Sequence, residues 1–310
     1  MKLILANNQS EKFLAFYKDL QATSKEDITY DAYESLLFRF SGEAHDAIDV
    51  ISVVTKHSLC NYDGVYINGY MSTYELAAAV AICCDDLKVP YVNRELANAP
   101  SLSKLTAYAK LAAAGIRIPF TIAGTQAALL RLGEDEAKGL TFPAVLKRAD
   151  ADRGIDNFKV SSLADVYELL RTYEKRTLWI LQDFIENDGF FLVTYYYFEP
   201  KYGIFRTLEA RTDGDKRKAH MYKPKGGINA TLIAPTDLPE SVVSTTKRAV
   251  YAMNRQIGSV DCIYDQQQDR TYILEVNYNP QMVTIETFKD IRLDAFLDGM
   301  QDMEHKYLDK

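Results

Sequence analysis

The spacing of apolar positions changes character along the chain. Up to about residue 95, strand-like and helix-like stretches alternate. Residues 2–6 read as a strand, 11–20 as a helix, and 35–40 and 62–68 as strands. An Ala-rich helix follows over 73–87, with Ser72 placed to cap it, and 89–93 closes the series. This alternation predicts a small, mostly parallel sheet with helices on its faces. Beyond it, a helix over 101–114 ends at Gly115, and another is predicted over 125–132. Strand periods then dominate, at 142–148, 158–160, 178–182, 190–198 and 202–211, interrupted by a helix over 164–173. A polar loop, a helix over 239–256, a strand pair and a last helix near 293–307 complete the chain. The pattern is α/β followed by α+β, with no internal repeat and no low-complexity linker. Three regions are expected: 1–95, 96–187 and 188–310.

The strand pair near the C-terminus carries chemistry in its alternation. Gly258 to Tyr264 and Tyr272 to Asn277 are joined by a polar turn, 265–270. Period-2 spacing puts Glu275 and Asn277 on one face, and hairpin pairing brings Asp261 beside them. Two carboxylates and an amide oxygen suit a hard cation such as Mg²⁺, which in turn holds phosphates.

Composition narrows the classes. A net charge of −7 argues against nucleic acid or an anionic membrane as the main partner. The longest apolar run, 76–84, is too short to span a bilayer. The first residues lack a secretory pattern, so a cytoplasmic location is expected. Cys60, Cys83, Cys84 and Cys262 have no C-x-x-C spacing and read as reduced structural thiols. The four scattered histidines do not build a zinc site. No G-x-G-x-x-G follows a strand in the first region, so nothing there signals a dinucleotide.

Two further segments stand out. Phe142 to Lys147 is an apolar strand ending in a lysine, followed by a short polar loop. Alone, such a lysine reads as a surface residue; beside a loop it can also reach a phosphate as a point charge. About thirty-five residues later, alternation breaks where Gln182, Asp183, Phe184 and Ile185 leave a strand. A strand exit offers backbone N–H and C=O groups in an apolar setting, which suits a purine edge, although an ordinary edge strand reads the same way.

The order of these features resembles the ATP-grasp superfamily. Lys147 closes a Pro-Ala-Val-Leu strand, then come Gln182 to Ile185, then Asp261 with Glu275-Val-Asn277. Asn93, Lys104 and Gly115-Ile-Arg-Ile-Pro-Phe-Thr121 also resemble that family, as does the strand–helix start. The nearest flavour is the branch of ribosomal-protein glutamate ligases and glutathione synthetases. The resemblance covers most of the chain. It implies an ATP-grasp fold with an N-terminal βαβ (pre-ATP-grasp) domain, a lid subdomain and a C-terminal metal-binding subdomain.

The resemblance also implies roles. Lys104 and Lys147 would contact the phosphates of ATP. Gln182, Phe184 and Ile185 would hold the adenine at a hinge, and Glu186 or Asp188 would meet the ribose. Leu274 would pack near the purine, although strict alternation points it away from Glu275. Asp261, Glu275 and Asn277 would bind Mg²⁺. Arg211 would stabilise the transferring phosphoryl group, and Lys223 and Lys225, before Gly226-Gly227, would contact phosphate or acyl phosphate. These two lysines also read as part of a solvated charge run.

Two departures bear on function. The family's lid loop is rich in glycine, whereas residues 149–154 contain only Gly154; Arg153 is the charge available there. The family's Asp-x-Arg after the hinge has no counterpart arginine near Asp188. The implied activity is an ATP-dependent carboxylate–amine ligase acting through an acyl phosphate, on small-molecule or peptide carboxylates and amines. Two alternatives stay open: an ATP-grasp phosphotransferase, and an ATP-binding module that has lost catalysis. The aromatic run 195–198 fits packing or dimerisation as well as ligand binding.

Overall fold

The computed structural model describes residues 1–6, 18, 21–22, 27–41, 47–67, 73–98, 103–151, 156–174, 177–186, 190–197, 199–207, 230–254 and 257–277. The predicted helices over 11–20 and near 293–307 lie largely or wholly outside these residues. Within them the chain forms two compact units. The first comprises the described residues of Met1–Gly115 and Phe120–Phe184, and the second Ile116–Pro119 and the described residues from Ile185 to Asn277.

The first unit holds two sheets. One is parallel, from strands β1 (Lys2–Ala6), β2 (Ile28–Ala32), β5 (Gly64–Ile67) and β6 (Tyr91–Val92), in the order β2-β1-β5-β6. Its helix, α1 (Tyr74–Leu87), buries an unbroken run from Leu76 to Cys84. Small Ala and Cys side chains let it pack closely on every side, against β4 (Ile48–Ser52), β5 and α2 (Lys104–Ala113). It stops at Lys88, which takes a left-handed conformation with φ 59° and returns its N–H to the Cys84 carbonyl.

The strand expected over 35–40 does not join this sheet, and a further strand not expected from the sequence pairs with it. β3 (Leu36–Phe40) and β4 (Ile48–Ser52) pair with each other, and β3 joins β7 (Thr121–Thr125) antiparallel. The second sheet thus runs β4-β3-β7-β10-β8-β9, adding β8 (Ala144–Arg148), β9 (Asn157–Val160) and β10 (Leu178–Asp183). Leu36, Leu37, Phe38 and Phe40 are all buried, which a strand with one wet face would not tolerate. The predicted helix over 125–132 shrinks to α3 (Gln126–Leu129), capped by the Thr125 hydroxyl accepting from Ala128 N–H. The helix α4 (Leu163–Leu170) is capped by Ser162. Beneath the sheet, Leu146, Leu181, Phe158 and Trp179 form a core, with Tyr173 edge-on to Trp179 at 4.7 Å.

β7 lies between β3 and β10, and at Gly124 its neighbours approach closely. A Cβ there would sit 3.0 Å from the Leu36 carbonyl oxygen and 3.2 Å from Leu37 Cδ2. Gly124→Ala is therefore expected to cost about 1–3 kcal/mol through backbone displacement. The check is a lower urea midpoint with unchanged denaturant slope; an unchanged midpoint would show that the strands yield without cost.

The second unit carries an antiparallel sheet, β13-β12-β11-β14-β15. Its strands are β11 (Phe190–Tyr197), β12 (Glu199–Thr207), β13 (Ala230–Ile233), β14 (Ile257–Asp265) and β15 (Arg270–Asn277). Helix α5 (Glu240–Ala252) packs on it through Val242, Thr246, Ala249 and Val250. Tyr196, in the aromatic run, is 2 % exposed and bonds to Thr246 and the Val243 carbonyl, a packing role. The β14–β15 turn is tied by Asp265, whose Oδ1 accepts from Gln267 and Gln268 N–H.

Candidate functional site

In the first unit, a polar line crosses the second sheet. Alternation along β8 buries Ala144 and Leu146 and leaves Val145 and Lys147 on the other face. Lys147 sits opposite Ile180 of β10, so Gln182, two residues on, is its diagonal neighbour. Lys147 Nζ donates to Gln182 Oε1 at 2.9 Å and to the Tyr108 hydroxyl of α2 at 2.8 Å. It also lies 5.2 Å from the Tyr108 ring centre. Gln182, 3 % exposed, uses its amide N–H to donate to Thr121 Oγ1 at 2.8 Å, directly across the ladder. Among the described residues, the ammonium of Lys147 is thus held by two neutral oxygens and no carboxylate. An ammonium positioned without neutralisation keeps its charge for an anion.

The same face continues onto β9. Asn157 and Lys159 lie opposite Lys147 and Val145, while Phe158 and Val160 are buried. Lys159 Nζ stands 4.0 Å from the centre of the Phe184 ring, a cation–π contact. Two lysines therefore share one half-buried face. Sequence reasoning missed Lys159; the alternation of Asn157-Phe-Lys-Val160 beside Lys147 was the signal.

The loop after β8 is clamped at both feet by Arg148, another residue missed from sequence. Arg148 makes a forked pair with Asp150, both bonds 3.0 Å, and reaches Asp156 at 3.0 Å. The guanidinium holds the Asp150 carboxyl below the usual carboxylate range. Lys104, first residue of α2, donates to the Ala151 carbonyl at 2.9 Å, so it too touches this loop. Glu75 of α1 receives the Ser103 hydroxyl at 2.8 Å and Thr106 at 3.2 Å, placing a carboxylate at the start of α2.

β10 is paired on both sides as far as Asp183, whose N–H donates to the Phe120 carbonyl at 2.9 Å. The side chain and ladder groups of Gln182 are therefore committed within the sheet. Phe184, Ile185 and Glu186 lie beyond the strand, and the boundary between the two units falls between Phe184 and Ile185. Asp183 accepts from Thr141 N–H at 2.8 Å, yet burial pushes its carboxyl above the ordinary range. A raised folded-state value means stability that is present at low pH and is lost as pH rises through that value. Asp183→Asn keeps an acceptor for Thr141 and removes the charge. It should raise the melting midpoint near neutral pH and flatten its fall as pH rises above the ordinary carboxylate range. Parallel melting profiles for the two proteins would refute this.

In the second unit, Asp261 of β14 lies directly opposite Glu275 of β15, and Ser259 opposite Asn277. Asn277 Nδ2 donates to Asp261 Oδ2 at 3.2 Å. All three are half-buried. Carboxylates facing each other across a ladder repel, which a cation between them would reverse. A bulge interrupts the register here: Asp261 pairs with Glu275, but Cys262 pairs with Ile273, so Leu274 is extra. Thr271, Ile273 and Val276 are buried while Leu274 and Glu275 are both half-buried. The extra residue shifts the alternation, so strict period-2 parity, which set Leu274 on the face opposite Glu275, does not hold. The Arg117 carbonyl accepts the Ile273 N–H at 3.0 Å, next to the bulge. The Cys262 thiol is pushed far up by burial and is inert.

The donor set fits Mg²⁺, which takes one or two carboxylates and completes its shell with water and phosphate oxygens. The third donor is an amide; among the described residues no group of three His, Cys, Asp or Glu could hold a metal. Arg153, Asp188, Arg211, Lys223 and Lys225 lie outside the described residues. Within those residues, no helix is long and apolar enough to cross a membrane.

No family model matches the chain, and no curated protein does. Among solved structures, it is similar to D-alanine–D-alanine ligase from Bacillus anthracis complexed with ATP. That similarity has 17% identity and a TM-score of 0.49, over 98% of each chain. It is also similar to D-alanyl-alanine synthetase A from Vibrio cholerae, at 14% identity and a TM-score of 0.45, over 97% of this chain and 98% of that one. A RimK-domain ATP-grasp protein from Sphaerobacter thermophilus gives 15% identity and a TM-score of 0.44, over 96% and 97%.

Proposed function

We propose that the chain is an ATP-dependent carboxylate–amine ligase of the ATP-grasp type. The observation that carries this reading is the bond between Lys147 and Gln182, at 2.9 Å. Two residues singled out for nucleotide binding, far apart in sequence, meet on one face with the lysine charge uncompensated by any described carboxylate. The Asp261–Glu275 register supports it from the other unit.

In this reading Lys147, Lys104 and Lys159 attract the phosphates, and the segment Phe184 to Glu186 takes the adenosine. Gln182 positions Lys147. Arg153, Asp188 and Leu274 are assigned to the same nucleotide. Asp261, Glu275 and Asn277 would hold Mg²⁺, which neutralises charge on the β- and γ-phosphates when bound. A substrate carboxylate takes the γ-phosphoryl group and ADP leaves. An amine then attacks the acyl carbon, phosphate departs and a proton is lost, leaving an amide. Arg211, Lys223 and Lys225 are assigned to the phosphoryl group in transit. The work asked of the protein is positioning and charge neutralisation.

The test is product analysis after incubation with Mg·ATP and pools of amino acids and short peptides. Amide product with equimolar ADP and free phosphate is expected. A phosphorylated acceptor without free phosphate would replace ligation by phosphotransfer, and absence of ATP binding by calorimetry would refute the reading altogether.

A further inference from the structure

Hydrogen bonds at two places tie α2 to β8 and the loop after it, and a lysine makes each of them. Lys147 of β8 donates to the Tyr108 hydroxyl of α2 at 2.8 Å. Lys104 of α2 donates to the Ala151 carbonyl at 2.9 Å. On the helix, Lys104 and Tyr108 stand at i and i+4, a spacing that puts both on one face. Lys147 and Ala151 have the same spacing in the chain they meet, taken in the opposite sense.

Tyr108 has a firm base. It is 1 % exposed, and its ring centre lies 5.2 Å from Lys147 Nζ. The helix that carries it packs against α1, β3 and β4. The other oxygen that holds Lys147, Gln182 Oε1, comes from the neighbouring strand of the same sheet. It fixes the ammonium within the sheet. The Tyr108 oxygen comes instead from the helix that begins with Lys104, so it relates one lysine to the other.

A lysine ammonium rides on a flexible stem, and ordering it beforehand removes a cost from binding. Two ordered ammonium groups, one on the helix and one on the strand, match a ligand that carries several phosphates in a row. A single phosphate cannot use both in the same way. We propose that Tyr108 is a positioning residue that sets Lys147 relative to Lys104, and that this placement favours a nucleoside polyphosphate over a monophosphate. The inference rests on the nucleotide reading above and adds to it a residue and a basis for selectivity.

The test is calorimetric titration of the full chain and of Tyr108→Phe with ATP and with AMP, both in Mg²⁺. Phenylalanine keeps the buried ring beside the ammonium and removes only the oxygen. ATP affinity should fall at least about tenfold, the scale of one hydrogen bond to a charged group, and AMP affinity less than about twofold. Freeing the ammonium of a partner would by itself leave it readier for phosphate, so the sign of the change is informative. Unchanged or higher ATP affinity in Tyr108→Phe would overturn the proposal. So would an equal loss for ATP and AMP, which a general disturbance of the fold would give. If Tyr108→Phe melts lower than wild type, the Lys147→Met background decides. There the added Tyr108→Phe change should leave ATP affinity as it is, and a further loss of about tenfold would exclude a role through Lys147. Failure of the wild type to bind ATP would remove the nucleotide reading and this inference together. Wild-type binding with an indifferent Tyr108→Phe would remove this inference alone.

Discussion

Glu275→Ala should leave a folded protein whose ATP-dependent turnover is reduced by about 10²–10³, the scale seen when one preorganised electrostatic group is removed. The fold should survive because Glu275 is half-buried and faces a like charge, Asp261, across the ladder. Removing Glu275 takes away one of the two carboxylates proposed to hold the cation. The variant should therefore lose the gain in midpoint that binding of Mg·ATP is expected to give. Glu275→Gln, which keeps the shape, should behave like Glu275→Ala in turnover. Measured rates of ADP formation within twofold of wild type, at saturating Mg²⁺ and with a substrate pair that supports turnover, would remove the hairpin from the site.

Lys147→Met should weaken ATP binding by about 10- to 100-fold, from loss of a charge-assisted contact of about 1.5–3 kcal/mol. Adenosine affinity should change little, since the role proposed for this charge on β8 is toward phosphate. Met keeps most of the apolar stem against Tyr108, so the loss is of charge more than of packing. The companion change Gln182→Leu tests the positioning role. It removes the Oε1 that holds the ammonium and leaves Thr121 without its donor. ATP affinity should fall less than for Lys147→Met, and in the double variant the two effects should fail to add. Calorimetry with ATP and adenosine side by side decides it: equal loss for both ligands would contradict a phosphate role.

Much of this site is legible in alternation. Lys147 at the end of an apolar strand, and Glu275 two residues from Asn277, occupy the faces that period 2 assigns them. Lys159 was equally legible and was overlooked, because a lysine inside a short strand attracts no notice until its neighbour is known. Leu274 was not legible. Its side depends on one extra residue in β15, and whether a strand bulges depends on the strand opposite. Arg148 shows a related limit: its charge is obvious, but that it grips both Asp150 and Asp156 is decided only in the folded chain. Arg153, Asp188, Arg211, Lys223 and Lys225 still rest on the resemblance.

Local pattern by itself determined where most strands and helices lie, which residues alternate toward a buried face, and that oxygen donors gather on the last hairpin. Those properties follow from side-chain spacing over a few residues. The tertiary structure alone decided that β3 leaves the parallel sheet to pair with β7 and β4, and that Lys147 meets Gln182 and Tyr108. Each of these is a choice among distant partners, made by which surfaces bury best against each other, and no short-range period encodes it.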